Sequence, residues 1–462
     1  MPGLSHDRLC RGCLEKQLRI DRLEEQVASL RSKLRHQERS GKETPFGSST
    51  PSSKILLKPN SLAERQARRG GGKPGHTGRG RARIDPATAA RVERVAVPVR
   101  CPDCGTRLTN RRLRRRGVID CEPVQVEKRV LELESKSCPK CGRTVEARAP
   151  GVLPKGLYGN QLLVHVTTQH LLYGQTLGQI EKQTGVPYSS LLAAMHALAA
   201  RLDPVVERLL EKYRREPVKH ADETGWRTDG QNGYAWLFAT PELSIFRFRQ
   251  TRSASVVREV FGPKRLPGTL VVDRYAAYNA YPGRLQYCYA HLLRDLKDLS
   301  REFPDNAEIR TFVDTLAPLL AAAMHARALR GSDRLFRQQA ALIERQIHDC
   351  IGLPANHPAV QNFQDIFRDN PKRLFHWAHD RRVPADNNLA ERDLRPLVIA
   401  RKISFGSQSV AGAHTREVLM SVLHSLQKQT TDVPARLKAA LDRLAQDPAV
   451  DLFRLLFPAK AP

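Results

Sequence analysis

Long apolar segments are missing from this 462-residue chain, and acidic residues are few for its size. No stretch is apolar over the roughly 20 residues that a bilayer-spanning helix needs, which argues against an integral membrane protein. The N-terminal sequence MPGLSHDRLCRGC also lacks the apolar core of a secretion signal. We therefore expect a cytoplasmic protein that folds as roughly two to four units, since the chain is too long for a single core.

The shortage of acids leaves a large positive charge that is unevenly distributed. The chain has 48 acidic residues against 76 lysines and arginines, a formal net charge of +28 and a pI of about 10.2. Residues 1–150 hold 34 basic and 17 acidic residues, a net +17, so the remaining 312 carry 28 − 17 = +11. Such clustering favours a polyanionic partner, above all nucleic acid bound through its phosphates. A soluble basic protein without such a partner is the alternative.

Two N-terminal segments differ in composition. In residues 1–37 a 3-4-3-4 apolar spacing predicts either a short coiled coil of the kind that pairs two parallel chains or an ordinary amphipathic helix. The spacing is carried by Ile20, Leu23, Val27, Leu30 and Leu34. Residues 38–95 lose this periodicity. Their sequences GKETPFGSSTPSSK and RQARRGGGKPGHTGRGRAR are typical of a basic flexible linker, or of an arm that lies in a DNA groove once bound.

Four of the nine cysteines form two C-x-x-C pairs, CPDC and CPKC, within residues 96–152. In an intracellular chain such pairs are typical of metal ligands rather than disulfides, and four thiolates match tetrahedral zinc. We therefore predict a structural zinc-binding domain, a zinc ribbon, with the ligands Cys101, Cys104, Cys138 and Cys141. The loop between the pairs carries a predicted phosphate-binding cluster of arginines: Arg111, Arg112, Arg114, Arg115 and Arg116.

Residues 153–215 have helical patterns, clearest in LGQIEKQTGVPYSSLLAAMHALAARL. Gly185 supplies a turn, and Ser189 or Ser190 is a candidate cap for the helix that follows. The apolar residues of that helix, at positions 191, 192, 195 and 198, point inward. The pattern predicts a helix-turn-helix domain that recognises DNA with its second helix. Two packed helices without such a role are the alternative.

Residues 216–302 change to a strand pattern. VKHADETGWR, GYAWLFAT and LSIFRFRQ predict a three-strand meander, and GTLVVDRYAAY predicts a buried strand that ends at Asp273. With the helical stretches between and after them, the order β-β-β-α-β-α-β is that of a ribonuclease-H-like sheet. Alternation along a strand places Glu223 on the opposite face from Asp222, which shares its face with His220 and Thr224.

Asp222 and Asp273 would converge if their strands are neighbours, although 273 − 222 = 51 positions separate them. A two-metal centre for phosphoryl transfer needs a third carboxylate, commonly from a helix. Residues 381–406 predict such a helix, capped by Asp386 or Asn387 and carrying Glu391. Taken alone, Glu391 would form an i,i+4 ion pair with Arg395. Together with the two strand acids it becomes the candidate third metal ligand.

Four blocks of the sequence, HADETGWR, VVDRYAAYN, YCYAHLLRDL and NNLAERDLRPLVIARK, resemble the catalytic blocks of the insertion-sequence-sixty-six family of DDE transposases. GGKPGHTGR, the two cysteine pairs and FGSQSVAGAHTREVLMSVLHSLQ are also similar to that family's layout. The resemblance covers nearly the whole chain. It implies a multidomain α+β protein with an α/β ribonuclease-H-like core, interrupted by a helical insertion at 303–380 and followed by a C-terminal helical region at 407–462.

The resemblance also implies a function and its residues. Asp222, Asp273 and Glu391 would bind two Mg²⁺ ions, and the protein would cut and join DNA as the transposase of a bacterial insertion sequence. Its partners would be the element's terminal inverted repeats, target DNA, a second copy of the chain and companion proteins of the element. DNA-backbone contacts are expected from Arg395, Arg401 and Lys402, for which plain surface charge is the alternative.

The third block departs from the family at Tyr289 and Leu293, where tryptophan and a basic residue are usual. Cys288 and His291 are spaced like a metal pair; lacking further ligands in the sequence, they are interpreted as structural. Asp295 and Asp298 are interpreted as solvated helix acids. A non-catalytic zinc-ribbon/helix-turn-helix DNA-binding regulator is the alternative function, and a general metal nuclease is a third.

Overall fold

The computed structural model describes residues 126–128, 130–137, 141, 144–146, 148–154, 156–328 and 331–459, with isolated positions 19, 20, 22, 23 and 87. The chain divides into two units, Met1–Cys121 and Glu122–Pro462. In the first unit Ile20 and Leu23 are helical and about half exposed. The rest of the predicted coiled coil, nearly all of the linker and the arginine cluster at 111–116 lie outside the described residues.

A small hairpin contains Cys141 of the second cysteine pair. Its strands, β1 (Ser135–Ser137) and β2 (Thr144–Glu146), are antiparallel. Cys141 is an exposed turn residue between them, whereas Cys101, Cys104 and Cys138 lie outside the described residues.

Three helices precede the main sheet: α1 (Asn160–Leu171), α2 (Leu177–Thr184) and α3 (Tyr188–Arg215). The side chain of Thr176 caps α2, and Gly185 ends this helix in the left-handed conformation at φ 67°. The expected cap by Ser189 or Ser190 is wrong. The helix α3 begins directly after Pro187 and already includes both serines, because a proline's fixed φ suits the entry to a helix. The residues predicted to point inward at 191, 195 and 198 are buried.

The second unit has the mixed α+β structure that the sequence predicts, built on a five-stranded sheet. Its strands are β3 (Val218–Thr228), β4 (Gln231–Ala239), β5 (Ser244–Arg249), β6 (Thr269–Val272) and β7 (Arg284–Tyr287). The strand order is β5-β4-β3-β6-β7: β3 to β5 form an antiparallel meander, and β6 and β7 run parallel to β3. The helix α4 (Ala254–Phe261) connects β5 to β6, and a 3-10 turn at Ala276–Ala280 connects β6 to β7.

The residues of the β3–β4 turn and of β4 explain why this part of the chain forms a meander. Asp229 and Gly230 form the two-residue turn between β3 and β4 with φ values of 53° and 71°, the positive pair that hairpin turns of this length favour. Residues 235–239 of β4 are all buried, so this central strand is a continuous apolar run rather than an alternating one.

A helical stretch follows β7. Its helices are α5 (Tyr289–Glu302), α6 (Ala307–Ala326), α7 (Asp333–Gly352), α8 (Pro358–Asp369), α9 (Pro371–Leu374) and α10 (His376–His379). The helices from α6 onward lie within residues 303–380, where the sequence predicts an insertion. Tyr289, one of the departures from the family pattern, is fully buried here. Its hydroxyl donates to the Leu374 carbonyl at 2.6 Å and accepts from Trp377 Nε1 at 2.9 Å, which ties the start of α5 to the end of the insertion.

The C-terminal helices are α11 (Asn388–Ser404), α12 (Val410–Gln427), α13 (Val433–Gln446) and α14 (Leu452–Leu456). The helix α12 covers the outer edge of the sheet, where alternate N–H groups of β5 would lack partners. Side chains one helical turn apart accept from these groups, since a turn of helix and two residues of strand have similar lengths. The pairs are Ser244 N to Ser425 Oγ at 3.0 Å, Phe246 N to Ser421 Oγ at 2.9 Å and Phe248 N to Glu417 Oε2 at 2.9 Å.

Among the residues that the structure describes, no helix is both long and apolar enough to cross a bilayer.

Candidate active site

The parallel pairing of β3 and β6 brings two of the predicted acids to matching positions. Val218 pairs with Thr269 and His220 with Val271, a constant offset of 51 residues. The same offset relates Asp222 to Asp273, which is the first residue after β6. Adjacent strands lie about 4.8 Å apart, and residues two apart share a face. The register therefore carries both carboxylates to one face of the sheet, where Asp222 lies just beyond the part of β3 that pairs with β6 and Asp273 follows the carboxyl end of β6.

Each of these two acids is oriented by a backbone hydrogen bond. Asp222 Oδ1 accepts from the N–H of Glu223 at 2.9 Å, and Asp273 Oδ1 accepts from the N–H of Tyr275 at 2.9 Å. Within the described part of the chain, no hydrogen bond reaches the second oxygen of either side chain. One oxygen thus fixes each carboxylate, and the other remains available to a ligand.

Mutual repulsion among the acids is visible in the protonation of Asp222. Burial raises the pKa of this carboxyl to about 8, and the charges of Glu223, Asp273 and, last, Glu391 add to the rise. The backbone N–H of Glu223 acts in the opposite direction but is outweighed. Like charges raise a carboxyl's pKa in this way only when they are near and poorly screened. The three predicted acids are thus near enough to repel one another, but among the described residues they do not form a group whose ligand atoms all lie within 4.8 Å of one another.

Glu223 lies on the other face of β3, as the alternation predicts, and is engaged there. Its carboxylate accepts from Arg252 Nε at 2.8 Å and from the hydroxyl of Tyr278, and its side chain is only 2% exposed. Burial raises the pKa of this carboxyl, while these two donors act to lower it. A cation and a hydroxyl thus neutralise Glu223, whereas Asp222 has no cationic partner among the described residues.

Glu391 lies in the first turn of α11 and faces α5. Both of its oxygens lie 2.9 Å from Arg294 Nη2, and Oε1 lies 4.0 Å from His291 Nδ1. Its expected i,i+4 pair with Arg395 is not formed among the described residues; Arg395 is exposed. The partner comes instead from another helix, because the first turn of α11 packs beside α5.

Asn387 joins the start of α11, which carries Glu391, to β3, which carries Asp222. Its side chain is buried; Nδ2 donates to the Ala221 carbonyl at 2.8 Å, and Oδ1 accepts from His220 Nδ1 at 2.9 Å. Its backbone N–H donates to Cys288 Sγ at 3.1 Å. Burial lowers the pKa of His220 to about 4, so the ring is neutral and can hold this contact at neutral pH. The start of α11 is thereby fixed to β3, next to Asp222.

From the sequence, Asn387 is predicted only as a possible helix cap, and its contacts with β3 and Cys288 are not predicted. The structure shows that Asn387 makes no capping hydrogen bond; Asp386 Oδ1 accepts from the Asn388 N–H at 3.0 Å instead. One signal for this role is present in the sequence. Two asparagines, Asn387 and Asn388, follow Asp386, whereas a helix cap requires only one such polar residue.

The basic residues expected to bind DNA differ in their surroundings. Arg395 and Lys402 are exposed on α11. Arg401 is half-buried, and its Nη1 donates to Thr224 Oγ1 at 3.1 Å and to the Gly225 carbonyl at 2.7 Å. Burial lowers the pKa of this guanidinium. Arg401 therefore holds α11 to β3 in this structure.

Two interpretations of the α5 region are corrected by the structure. Cys288 and His291 do have a third potential ligand, since Sγ, a ring nitrogen and a Glu391 carboxylate oxygen all lie within 4.8 Å of one another. Asp295 is not a solvated acid. It is partly buried and forms an ion pair with Arg274, and burial raises the pKa of its carboxyl.

Comparison with known proteins gives a family. The model of the Transposase IS66 family matches residues 155–415, which include all three acids and more than half of the chain. The uncharacterized protein y4qI of Sinorhizobium fredii (strain NBRC 101917 / NGR234) is 26% identical over 355 residues, 68% of this chain and 65% of that protein. The uncharacterized protein y4jD of the same strain is 25% identical over 277 residues, 53% of each chain. The chain thus spans between about half and about two thirds of the length of these curated relatives. On the strength of the family match, this chain belongs to the IS66 family of transposases.

Proposed function

We propose that this protein is the DDE-type transposase of a bacterial insertion sequence, which cuts and joins DNA strands with Mg²⁺ held by Asp222, Asp273 and Glu391. Family membership supports a DNA-cleaving enzyme in general. The observation that carries the finer proposal is the common register of Asp222 and Asp273 on parallel strands, with the charge of Glu391 acting on Asp222. The strand order β5-β4-β3-β6-β7 supports a ribonuclease-H-like core around them.

The donor set fits magnesium. Mg²⁺ prefers hard oxygen ligands, usually one or two carboxylates with water and substrate phosphate completing the octahedron. Asp222 and Asp273 each offer an oxygen that accepts no hydrogen bond from the described residues, and the repulsion that raises the pKa of Asp222 is what a divalent cation would relieve. Bound there, Mg²⁺ would polarise the scissile phosphate and activate the attacking hydroxyl.

The chain's own residues have distinct tasks in this proposal. Asp222 and Asp273 bind and orient the cation through the oxygens that their backbone contacts leave open. Glu391 joins them by exchanging part of its contact with Arg294 for the metal. The Arg294 guanidinium, once freed from Glu391, would be available to donate to a non-bridging oxygen of the phosphate. Asn387 holds Glu391 in place from the β3 side.

The remaining modules would serve DNA binding. We propose that the four cysteines Cys101, Cys104, Cys138 and Cys141 bind a structural zinc ion, and that the helix-turn-helix formed by α2 and α3 contacts the terminal repeats. The exposed Arg395 and the basic N-terminal third would bind the DNA backbone. Pairing of two element ends would need at least two copies of the chain, which the N-terminal coiled coil would join.

Cleavage of the element's own ends tests the proposal. The full-length protein is incubated with Mg²⁺ and a labelled duplex that carries the inverted repeats flanking its coding region. Site-specific nicking followed by joining to a second duplex is expected. Binding without nicking would favour the non-catalytic regulator, and unselective degradation would favour a general nuclease; either result overturns the proposal.

Substitutions of the three acids test whether they are required for nicking. Asp222→Asn, Asp273→Asn and Glu391→Gln should each abolish nicking while leaving binding of the duplex intact. Asp298→Asn is the control, because this acid lies on the surface of α5, where it pairs with Arg301 at 3.2 Å. It should nick like the wild type. Full activity in any of the three test variants would remove that residue from the proposed centre.

A further inference from the structure

A second group of potential metal ligands lies beside the acidic centre and differs from it in chemistry. Cys288 is the last residue before α5, His291 lies in the first turn of this helix, and Glu391 lies in the first turn of α11. One ligand atom from each lies within 4.8 Å of the other two. The three side chains converge although 391 − 288 = 103 positions separate the first from the last.

The histidine of this group has an unmet bonding capacity. His291 Nδ1 is buried and has no hydrogen-bond partner in the part of the chain that the structure describes. Its nearest carboxylate oxygen, Glu391 Oε1, is 4.0 Å away, too far for a hydrogen bond. A buried ring nitrogen without a partner is destabilising, and a missing ion is one of the recognised explanations.

The cysteine has one backbone donor that suits a thiolate. Cys288 Sγ accepts the N–H of Asn387 at 3.1 Å and makes no capping hydrogen bond to α5. Such a hydrogen bond favours the charged form of the sulfur. Burial works against it and leaves the metal-free side chain a thiol at neutral pH; a coordinated divalent ion would remove its proton.

We propose that Cys288, His291 and Glu391 form a separate metal site for zinc or a similar thiophilic divalent ion. Sulfur, imidazole nitrogen and carboxylate oxygen together select zinc-class ions and not magnesium, which binds through oxygen alone. Three protein ligands leave the fourth tetrahedral position to water or a phosphate oxygen. The ion would fasten the start of α5 to α11 through one oxygen of Glu391 and leave the other oxygen for the acidic centre.

Metal counting tests this site without DNA or activity. The full-length protein is stripped with a chelator, reloaded with Zn²⁺, desalted and analysed for bound zinc per chain. Cys288→Ser and His291→Ala should each bind one zinc ion fewer than the wild type. Cys350→Ser is the matched control, since this thiol is also buried but lies on α7, outside the group; it should bind as many as the wild type. The predicted four-cysteine site contributes equally to all four proteins.

Two further measurements keep the result unambiguous. Reloading with Co²⁺ should give a sulfur-to-metal charge-transfer band that is weaker in Cys288→Ser than in Cys350→Ser, and circular dichroism establishes that each variant is folded. Equal zinc counts in wild type and folded His291→Ala would overturn the inference. Asp222→Asn should keep the full zinc count while losing DNA nicking. Failure of this site and failure of the proposed transposase activity are therefore distinguishable.

Discussion

Replacing Asp222 by asparagine is expected to stabilise the metal-free protein by an amount that grows with pH. The folded protein holds the carboxyl proton up to a pKa of about 8, whereas the unfolded chain releases it near the ordinary value of 3.8. Between these values the unfolded state binds fewer protons than the folded state. The wild-type free energy of unfolding therefore falls by about 1.4 kcal/mol for each pH unit of increase, and the full penalty is present above pH 8.

Asparagine does not ionise, so the variant escapes this penalty. Its gain in the free energy of unfolding should be roughly 2 kcal/mol at pH 5 and roughly 4 kcal/mol at pH 7. The increment of about 2.7 kcal/mol between these two pH values is the sharper quantity, because titrating groups that do not interact with Asp222 affect wild type and variant alike.

Urea unfolding in the presence of EDTA measures the effect. All three tryptophans, Trp226, Trp236 and Trp377, are buried in the second unit, so their fluorescence reports the unfolding of the unit that contains the acids. Asp380→Asn serves as the control. Hydrogen bonds from Arg382 lower the pKa of the Asp380 carboxyl, so its stabilising contribution is lost only as pH falls below the ordinary range. This variant should be destabilised by the same amount from pH 5 to pH 8.

A pH-independent difference between wild type and Asp222→Asn would refute the reasoning, because it would mean that Asp222 is ionised at pH 5 and is not crowded by its neighbours. Addition of Mg²⁺ should reverse the ranking at pH 8, since the cation stabilises the ionised wild-type centre and has less to bind in the variant.

Three other substitutions have defined expectations. Glu417→Ala should lower the free energy of unfolding by about 3–5 kcal/mol in urea titrations, because it removes one of the two 2.9 Å carboxylate partners of the Arg247 guanidinium, which is 6% exposed, and also the acceptor of the Phe248 N–H; Glu417→Gln should be milder. Gly406→Ala should lower the melting temperature by several degrees in calorimetry, since φ is +133° and a Cβ would lie 2.2 Å from a backbone carbonyl oxygen of β3. Arg294→Ala should change stability by less than about 1 kcal/mol, because the pair is exposed, yet tighten Mg²⁺ binding in calorimetric titration by freeing Glu391.

The positions of the two strand acids could be predicted because both depend on short-range patterns. Alternation along β3 assigns Asp222 and Glu223 to opposite faces, and the apolar run before Asp273 marks a strand end. Only the neighbour relation of the two strands had to be assumed, and their 51-residue offset agrees with it.

Contacts between distant elements could not be predicted in the same way. The sequence near Glu391 offers Arg395 one helical turn away, and nothing local indicates that Arg294 takes its place. The same holds for Cys288 and His291, whose spacing indicates two ligands on one helical turn but not the third. The residues between them and Glu391 form the helices α6 to α10, and only the packing of that insertion decides which turn of α11 faces α5.

Neighbouring acids in β3 differ in their partners, because a cationic side chain pairs with Glu223 and, among the described residues, none pairs with Asp222. Glu223 receives Arg252 and Tyr278 and is stabilised as a structural carboxylate. Asp222 receives one backbone N–H, and the Arg294 guanidinium binds Glu391. Placing a cationic side chain beside Asp222 would stabilise the fold by lowering the pKa of this carboxyl. In the proposed centre the same change would occupy the oxygen that the metal would need, so the repulsion left between the acids is free energy that binding of a divalent ion would release.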